Sequence, residues 1–177
     1  MNYKVGDYLV HENSSVCQIT EITDMELAGR GSMKTYYVMN PVFKQGAQVF
    51  TPVEGAFAKI RPVSSASEIN ELLDRLDKLE VIVENNERVR AEKLKGIMAQ
   101  FTTDSLAMVV RTALLRKWLR IQEGKKVMAS DEKILAIAGR KLYEEMAFAT
   151  STTVEDCQSL FEQKVREHCE EGIAALM

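Results

Sequence analysis

The chain has 177 residues, of which 46% are hydrophobic and 28% charged, and its formal net charge is −3. This composition is typical of a globular protein and argues against a fibrous, low-complexity or wholly disordered chain. The first residues lack the apolar segment of a secretion signal, and no stretch reaches the roughly 18 apolar residues of a membrane span, so we expect a cytoplasmic protein without a membrane partner.

The charge is distributed unevenly along the chain. Residues 1–84 contain 8 Lys and Arg against 12 Asp and Glu, residues 85–148 contain 13 against 8, and residues 149–177 contain 2 against 6. A polyanion responds to the local field, so the central segment, here called the basic block (residues 85–148), is a candidate nucleic-acid footprint. Lys and Arg are also common on solvated helix faces, and both interpretations stay open on composition alone.

The first sixty residues predict five short strands separated by turns. The strand-like runs are Tyr3–Val10, Val16–Ile19, Lys34–Met39, Gln48–Val53 and Ala58–Val63, with turn residues at Asn13-Ser14-Ser15 and Gly29-Arg30-Gly31-Ser32 between them. A flat sheet of this size would leave one face uncovered. We therefore predict a small, strongly bent antiparallel β-barrel over residues 1–63.

Helical periodicity begins after Pro62, so we predict a second domain over residues 64–177. Ser65 and Glu68 form a capping-box pattern, and further helices are predicted at about 87–100, at 103–122, from Ser130 and from Thr153. The last of these carries an apolar stripe of Cys157, Leu160, Phe161, Val165 and Cys169. The fold class is therefore α+β, with an N-terminal β-barrel and a compact all-α domain of about five helices.

Catalytic and metal-binding patterns are sparse. The chain has two histidines, His11 and His168, and no phosphate-binding glycine motif. Cys157 and Cys169 lack the further ligands of a structural zinc site. The adjacent pairs Glu144-Glu145 and Glu170-Glu171 point about 100° apart on a helix, which favours a solvated surface over acid–base chemistry. We expect no enzymatic activity, no cofactor, no metal and no small-molecule substrate.

Binding has more support, because the basic block groups its cations on successive predicted helices and the loop between them. Such groups neutralise phosphates without reading bases. Trp118 lies among them, where it could stack on a base or, more commonly for such a residue, pack against the core. The candidate DNA-binding cations are Arg88, Arg90, Lys93, Lys95, Arg116, Lys117, Arg120, Lys125, Lys126 and Lys133.

Several motifs resemble the CarD/CdnL family of bacterial transcription regulators, whose polymerase-interacting module is shared with the transcription-repair coupling factor. In the head these are Tyr3–Val10, Tyr36–Met39, Phe50–Val53 and Lys59–Val63; in the tail they are Asn85 with Arg88, Ala107–Arg111 and Glu145–Ala149. The long coupling factor also has helicase motifs, which are absent from this chain.

The resemblance implies a Tudor-like barrel that docks on the β subunit of RNA polymerase by adding its strand edge to the partner's. It also implies a helical domain that contacts promoter DNA, through its backbone or minor groove, at the upstream edge of the bubble and favours the open complex. The residues that match the polymerase-binding region are Tyr36, Tyr37, Val38, Met39, Val49, Phe50, Thr51 and Pro52.

The chain departs from the family pattern at two places. Many relatives have a minor-groove tryptophan directly after the residue that matches Asn85, whereas this chain has Asn86, which could hydrogen-bond a base edge or a phosphate. The resemblance therefore adds Asn85 and Asn86 to the candidate DNA-binding residues. Relatives usually have a glycine in the turn that is Asn13-Ser14-Ser15 here. The alternative function is a protein-interaction adaptor whose β-barrel binds another protein and whose helices do not contact DNA.

Overall fold

A computed structural model describes residues 3–27 and 31–176. The chain divides into two units, Met1–Val63 and Ser64–Met177, which we call the sheet unit and the helical unit. The turn predicted at Gly29-Arg30-Gly31-Ser32 lies largely outside the described residues.

The sheet unit contains a single antiparallel sheet of five strands: β1 (Tyr8–His11), β2 (Ser15–Met25), β3 (Lys34–Pro41), β4 (Val49–Pro52) and β5 (Ile60–Pro62). Their spatial order is β4-β3-β2-β1-β5. In the described part of the unit β4 and β5 are edge strands that do not pair with each other, so the sheet is open and differs from the predicted closed barrel.

A buried cluster of this unit lies on one face of the sheet. Strand alternation places Leu9, Cys17, Ile19, Tyr37 and Met39 in one buried cluster, which Ala56 and Ile60 complete. A break in register between Ile19 and Glu21 marks a β-bulge in β2. Bulges increase local twist and bend a strand. The bend lets five strands of one sheet share a core without closing into a barrel.

The turn from β1 to β2 contains a strained residue. Ser15 has φ of +56°, a left-handed conformation that glycine adopts readily and serine does not. Its side chain is buried, and its hydroxyl has no hydrogen-bond partner among the described residues. The departure from glycine noted in this turn therefore falls at a backbone position that favours glycine.

The described part of the helical unit, residues 64–176, contains six α-helices: α1 (Ala66–Asp74), α2 (Glu87–Met98), α3 (Thr103–Gln122), α4 (Ala129–Thr150), α5 (Val154–Glu167) and α6 (Cys169–Leu176). The capping box predicted at Ser65 and Glu68 is confirmed, as are the bounds of α3 and the start of α5 at the N-cap Thr153. Gly124, with φ of +66°, ends α3 as predicted.

The sixth helix is a difference from the predicted five. The helical backbone of α5 ends at His168, whose φ is −120°, and α6 starts at the next residue. Gly172 of α6 lies so close to α3 that an added Cβ would come within 2.6 Å of the Leu115 side chain. Cys157, Phe161 and Val165 are buried in the core as predicted. Leu160 is 43% exposed, so its predicted inward position is wrong.

No helix among residues 3–27 and 31–176 combines the length and apolar character needed to cross a membrane.

Candidate interaction surfaces

The free edge of the sheet at β4 is the first candidate surface. β4 pairs with β3 in the register Tyr36 to Pro52, Tyr37 to Thr51, Val38 to Phe50 and Met39 to Val49. Its other side pairs with no strand in the described part of the chain. An unpaired strand edge presents backbone donors and acceptors that can accept another strand.

The register shows which backbone groups this edge offers. The Val53 N–H donates to the Thr35 carbonyl at 2.9 Å. Antiparallel residues alternate between hydrogen-bonded and non-bonded pairs, so Thr51 also faces β3, whereas Phe50 and Pro52 direct their backbone groups outward. Proline has no N–H, so the Phe50 N–H is the donor at the centre of the edge. The Phe50 side chain is 42% exposed beside it.

The predicted polymerase-contacting residues of β3 have a different environment. Tyr36, Tyr37, Val38 and Met39 are all buried, and β3 pairs with β2 on one side and β4 on the other. Thr51 of β4 is also buried, whereas Val49 and Pro52 are half-buried. Phe50 is therefore the most accessible of the eight predicted residues. The other predicted residues lie on β3, which pairs with β4 on the side opposite its free edge.

The second candidate surface lies in the basic block, where one predicted DNA contact proves to be internal. Arg90 is 1% exposed and donates to both carboxylate oxygens of Asp131, at 3.0 and 3.1 Å. The prediction that Arg90 faces DNA is wrong, because its guanidinium is enclosed by this ion pair. Asp131 was not predicted as its partner; the two residues are 41 positions apart and no local pattern links them.

Arg116 joins the same cluster. Its Nε donates to Asp131 Oδ2 at 3.3 Å, and its side chain is 13% exposed. Burial lowers the pKa of Arg116, and the charge of Arg90 lowers it further, while Asp131 opposes the shift. One carboxylate thus serves two guanidinium groups, which leaves a surplus positive charge in the interior of the helical unit.

The segment between α1 and α2 is held against the helices by polar side chains. We call residues 79–86 the connector. Arg111 donates to the carbonyls of Leu79 and Asp77, the latter at 3.1 Å, and burial lowers the pKa of Arg111. Thr112 Oγ1 accepts from the Ile82 N–H at 3.2 Å, and Arg90 Nη1 donates to the Glu84 carbonyl at 3.0 Å. These bonds fix the backbone that leads to Asn85 and Asn86.

Asn85 and Asn86 are both exposed at the end of the connector. Asn86 is the N-cap of α2, and its Oδ1 accepts from the Val89 N–H at 3.2 Å. The position that follows Asn85 therefore starts a helix here, and its side chain already has a structural hydrogen bond.

Several exposed cations of the basic block are paired with carboxylates. Lys93 pairs with Glu84 at 3.0 Å, Lys95 with Glu92 at 3.1 Å and Lys125 with Glu123 at 3.0 Å. Arg120 donates to the Lys126 carbonyl. The predicted cations that form no ion pair with any described residue are Arg88, Lys117, Arg120, Lys126 and Lys133.

One contact between helices brings two of these cations, Arg88 and Lys133, into one region. The Ser130 hydroxyl donates to Glu87 Oε1 at 2.5 Å, which joins the first turns of α2 and α4. Ser130 was predicted to open α4, but the helix begins at Ala129 and this hydroxyl caps no N–H. Arg88 follows Glu87, and Lys133 follows Ser130 by three residues, so both lie close to this junction.

Two other sequence-based interpretations can be compared with the structure. Trp118 packs against the helical core, and the Arg166 guanidinium lies over its ring at 4.8 Å, so the core interpretation is confirmed. Glu145 was expected on a solvated surface and is 0% exposed. It accepts from the Ser64 N–H at 3.0 Å and the Ser64 hydroxyl at 2.9 Å, and these bonds make burial of the carboxylate possible.

Comparison with known proteins identifies the sheet unit. Residues 3–64 match the family model described as the CarD-like/TRCF RID domain. The N-terminal unit is a CarD-like/TRCF RID domain. The resemblance drawn from the head of the sequence is thereby confirmed for these residues. No curated protein matches the chain.

A RID domain is an RNA polymerase-interacting domain, a protein-interaction module and not a catalytic one. The match covers about a third of the chain and stops where the helical unit begins. The β4 edge and Phe50 belong to the RID domain, whereas the basic block lies outside it. In the described residues no group of three or more His, Cys, Asp or Glu side chains could hold a metal ion.

Proposed function

We propose that the protein is a non-enzymatic transcription regulator that docks on the β subunit of RNA polymerase through the β4 edge of its RID domain. The family match carries this proposal. The free edge supports it, because the outward Phe50 N–H and the exposed Phe50 ring suit the addition of a partner strand. Tyr36 to Met39 would act by supporting β4.

The proposal for the helical unit is that it contacts promoter DNA near the upstream edge of the bubble and stabilises the open complex without strong sequence preference. Its support is the group of exposed cations around the junction of α2 and α4, with Lys126 in the preceding loop. Asn85 lies at the end of a connector that buried arginines fix, and such fixed positions favour binding because little ordering is needed.

A specific observation favours the alternative of an adaptor that does not bind DNA. Lys93, Lys95 and Lys125 are paired with carboxylates of the same unit, and Arg90 and Arg116 are used internally. Fewer cations of the basic block are therefore available to contact phosphates than its number of Lys and Arg residues suggests. Salt titration separates the two proposals, since phosphate contacts weaken steeply with added salt.

The experiment that tests the leading proposal uses the full chain with Arg88, Lys126 and Lys133 all replaced by Ala. Capture of RNA polymerase, and of its isolated β subunit, should be unchanged, while the lifetime of the open promoter complex should fall. The control replaces Lys44 and Lys164, two cations outside the basic block, and should preserve the lifetime. An unchanged lifetime of the open complex in the triple variant would contradict the DNA contact. Polymerase binding that survives deletion of residues 1–63 would contradict the docking role.

A further inference from the structure

Glu84 is held in place by three contacts at the end of the connector. Its carbonyl accepts from Arg90 Nη1 at 3.0 Å, its Oε1 accepts from the Asn86 N–H at 3.0 Å, and its Oε2 lies 3.0 Å from Lys93 Nζ. Its side chain is 22% exposed. The buried Arg90 fixes the backbone and the Asn86 N–H fixes the carboxylate, so Glu84 has little freedom to turn away.

The Glu84–Lys93 pair differs from the exposed ion pair between Glu92 and Lys95 of α2. Glu92 and Lys95 are three residues apart on an exposed helix face, with 69% and 60% of their side chains accessible, and the Glu92 carboxylate makes no second hydrogen bond or ion pair with any described residue. Exposed pairs of this kind contribute little and separate easily. The pKa of Glu84 is lowered, first by the Asn86 N–H and then by Lys93, so both contacts favour its charged form.

We propose that Glu84 is a specificity-determining residue that limits the affinity of the helical unit for DNA by occupying Lys93 and fixing a negative charge beside Asn85 and Asn86. This inference rests on the proposed contact with DNA. A phosphate that approaches Lys93 must compete with a carboxylate that cannot move aside. The unit would then bind duplex DNA weakly on its own, and the RID domain would direct it to promoters through polymerase.

The test measures binding of a fluorescent duplex of random sequence to the full chain by anisotropy, across a series of salt concentrations. Glu84→Gln removes the charge and can still accept from the Asn86 N–H. Glu92→Gln is the matched control, because it changes the net charge equally and releases a lysine from the exposed pair. Lys93→Gln is made alone and together with Glu84→Gln. Thermal unfolding monitored by circular dichroism verifies that each variant is folded.

We expect Glu84→Gln to bind more tightly than the parent and Glu92→Gln to bind nearly like it. If Lys93 gains one phosphate contact, the affinity ratio of Glu84→Gln to parent should widen about threefold between about 0.2 M and about 0.05 M salt. The gain should be much smaller in the Lys93→Gln background. Equal gains in DNA affinity for Glu84→Gln and Glu92→Gln would show that only the change in net charge matters, and would overturn the inference.

The two proposals fail in different ways. Binding by the parent with no gain in Glu84→Gln overturns the role of Glu84 and leaves the DNA contact standing. Absence of binding by the parent and by every variant at the lowest salt overturns both the DNA contact and the inference that rests on it. DNA binding that is detected only in Glu84→Gln supports the proposal that Glu84 limits the affinity for DNA.

Discussion

Arg90 and Asp131 form a doubly hydrogen-bonded ion pair inside the helical unit, with side chains that are only 2% and 4% exposed. Arg116 donates to the same carboxylate, so α2, α3 and α4 meet at one negative charge. A buried ion pair adds little stability compared with an apolar pair, but removal of one partner leaves an uncompensated charge. The consequence for α2 and the connector can be measured.

Asp131→Ala should lower the free energy of unfolding by about 3–5 kcal/mol, because both Arg90 and Arg116 lose their carboxylate. Urea unfolding of the full chain, followed by far-ultraviolet circular dichroism, measures the change in helical signal. Glu132→Ala is the control: its side chain is exposed in the same turn, and its loss should cost no more than about 1 kcal/mol. A stability near that of the parent for Asp131→Ala would show that the pair does not organise this unit.

Arg88 and Arg90 provide a second comparison on α2. Arg88 is exposed and Arg90 is buried, although both were predicted to contact DNA. Arg88→Ala should leave the unfolding curve unchanged and flatten the salt dependence of DNA binding by about one unit of slope. Arg90→Ala should destabilise the fold at all salt concentrations, because it leaves Asp131 with Arg116 alone and frees the Glu84 carbonyl. Equal stability losses for the two variants would contradict these placements.

Polymerase docking through β4 predicts a specific role for one backbone group. Phe50→Pro removes the outward N–H at the centre of the edge and leaves the ladder to β3 intact, so polymerase capture should weaken about tenfold or more. Phe50→Ala is the matched control, since it shortens the side chain and keeps the N–H. Capture by Phe50→Pro at the parental level would exclude this edge as the docking strand.

Val38→Pro is a poorer probe of the same interface. Val38 is a non-bonded partner of Phe50, so its backbone groups face β2, and its side chain is 3% exposed. Proline at this position would remove a backbone hydrogen bond between two interior strands, β2 and β3, and unfold the sheet. Loss of polymerase binding by that variant would therefore say nothing about the docking edge.

Local signals in the sequence predicted much of the fold but not its long-range contacts. Gly124 predicted the end of α3, since a glycine that takes the left-handed conformation acts on neighbouring backbone groups. The break at His168 was missed because the apolar spacing from Val165 to Cys169 continues through it. Periodicity reports which side chains share a face, and it does not report where the backbone leaves the helix.

In the candidate sites too, the sequence predicted local features but not long-range contacts. The strand pattern predicted β4, but it could not show that β4, and not β3, is the edge, because strand order depends on pairings between distant segments. Burial of Glu145 depends on Ser64, 81 residues away. The types and spacing of charged residues predicted a basic surface, whereas the carboxylates that neutralise part of it come from other turns and other helices.

Ser15→Gly should stabilise the sheet unit by about 1 kcal/mol. Glycine adopts the φ of +56° without strain, and the change removes a buried hydroxyl that has no partner. Amide hydrogen exchange of β1 and β2 in the full chain measures the effect locally. Ser14→Gly, at a neighbouring position without positive φ, should be neutral or slightly destabilising. Faster exchange in Ser15→Gly would show that the serine is not strained.

Two glycines of the helical unit should respond in opposite directions to alanine. Gly96 lies in α2 with nothing within 4 Å of an added Cβ, so Gly96→Ala should stabilise the unit by about 1 kcal/mol through helix propensity. Gly172 lies in α6, where the new Cβ would come within 2.6 Å of Leu115, so Gly172→Ala should cost about 1–3 kcal/mol. Thermal unfolding measures both changes.

Trp118 reports on the second of these variants. It is the only tryptophan in the chain and lines a groove with Cys169 and Ile173 of α6. Displacement of α6 by Gly172→Ala should therefore shift the tryptophan emission to longer wavelength, because the indole becomes more hydrated. Gly96→Ala should leave the emission unchanged. A stabilising Gly172→Ala with parental emission would mean that α6 does not pack on α3, and Leu115 would then have to be covered by another part of the chain.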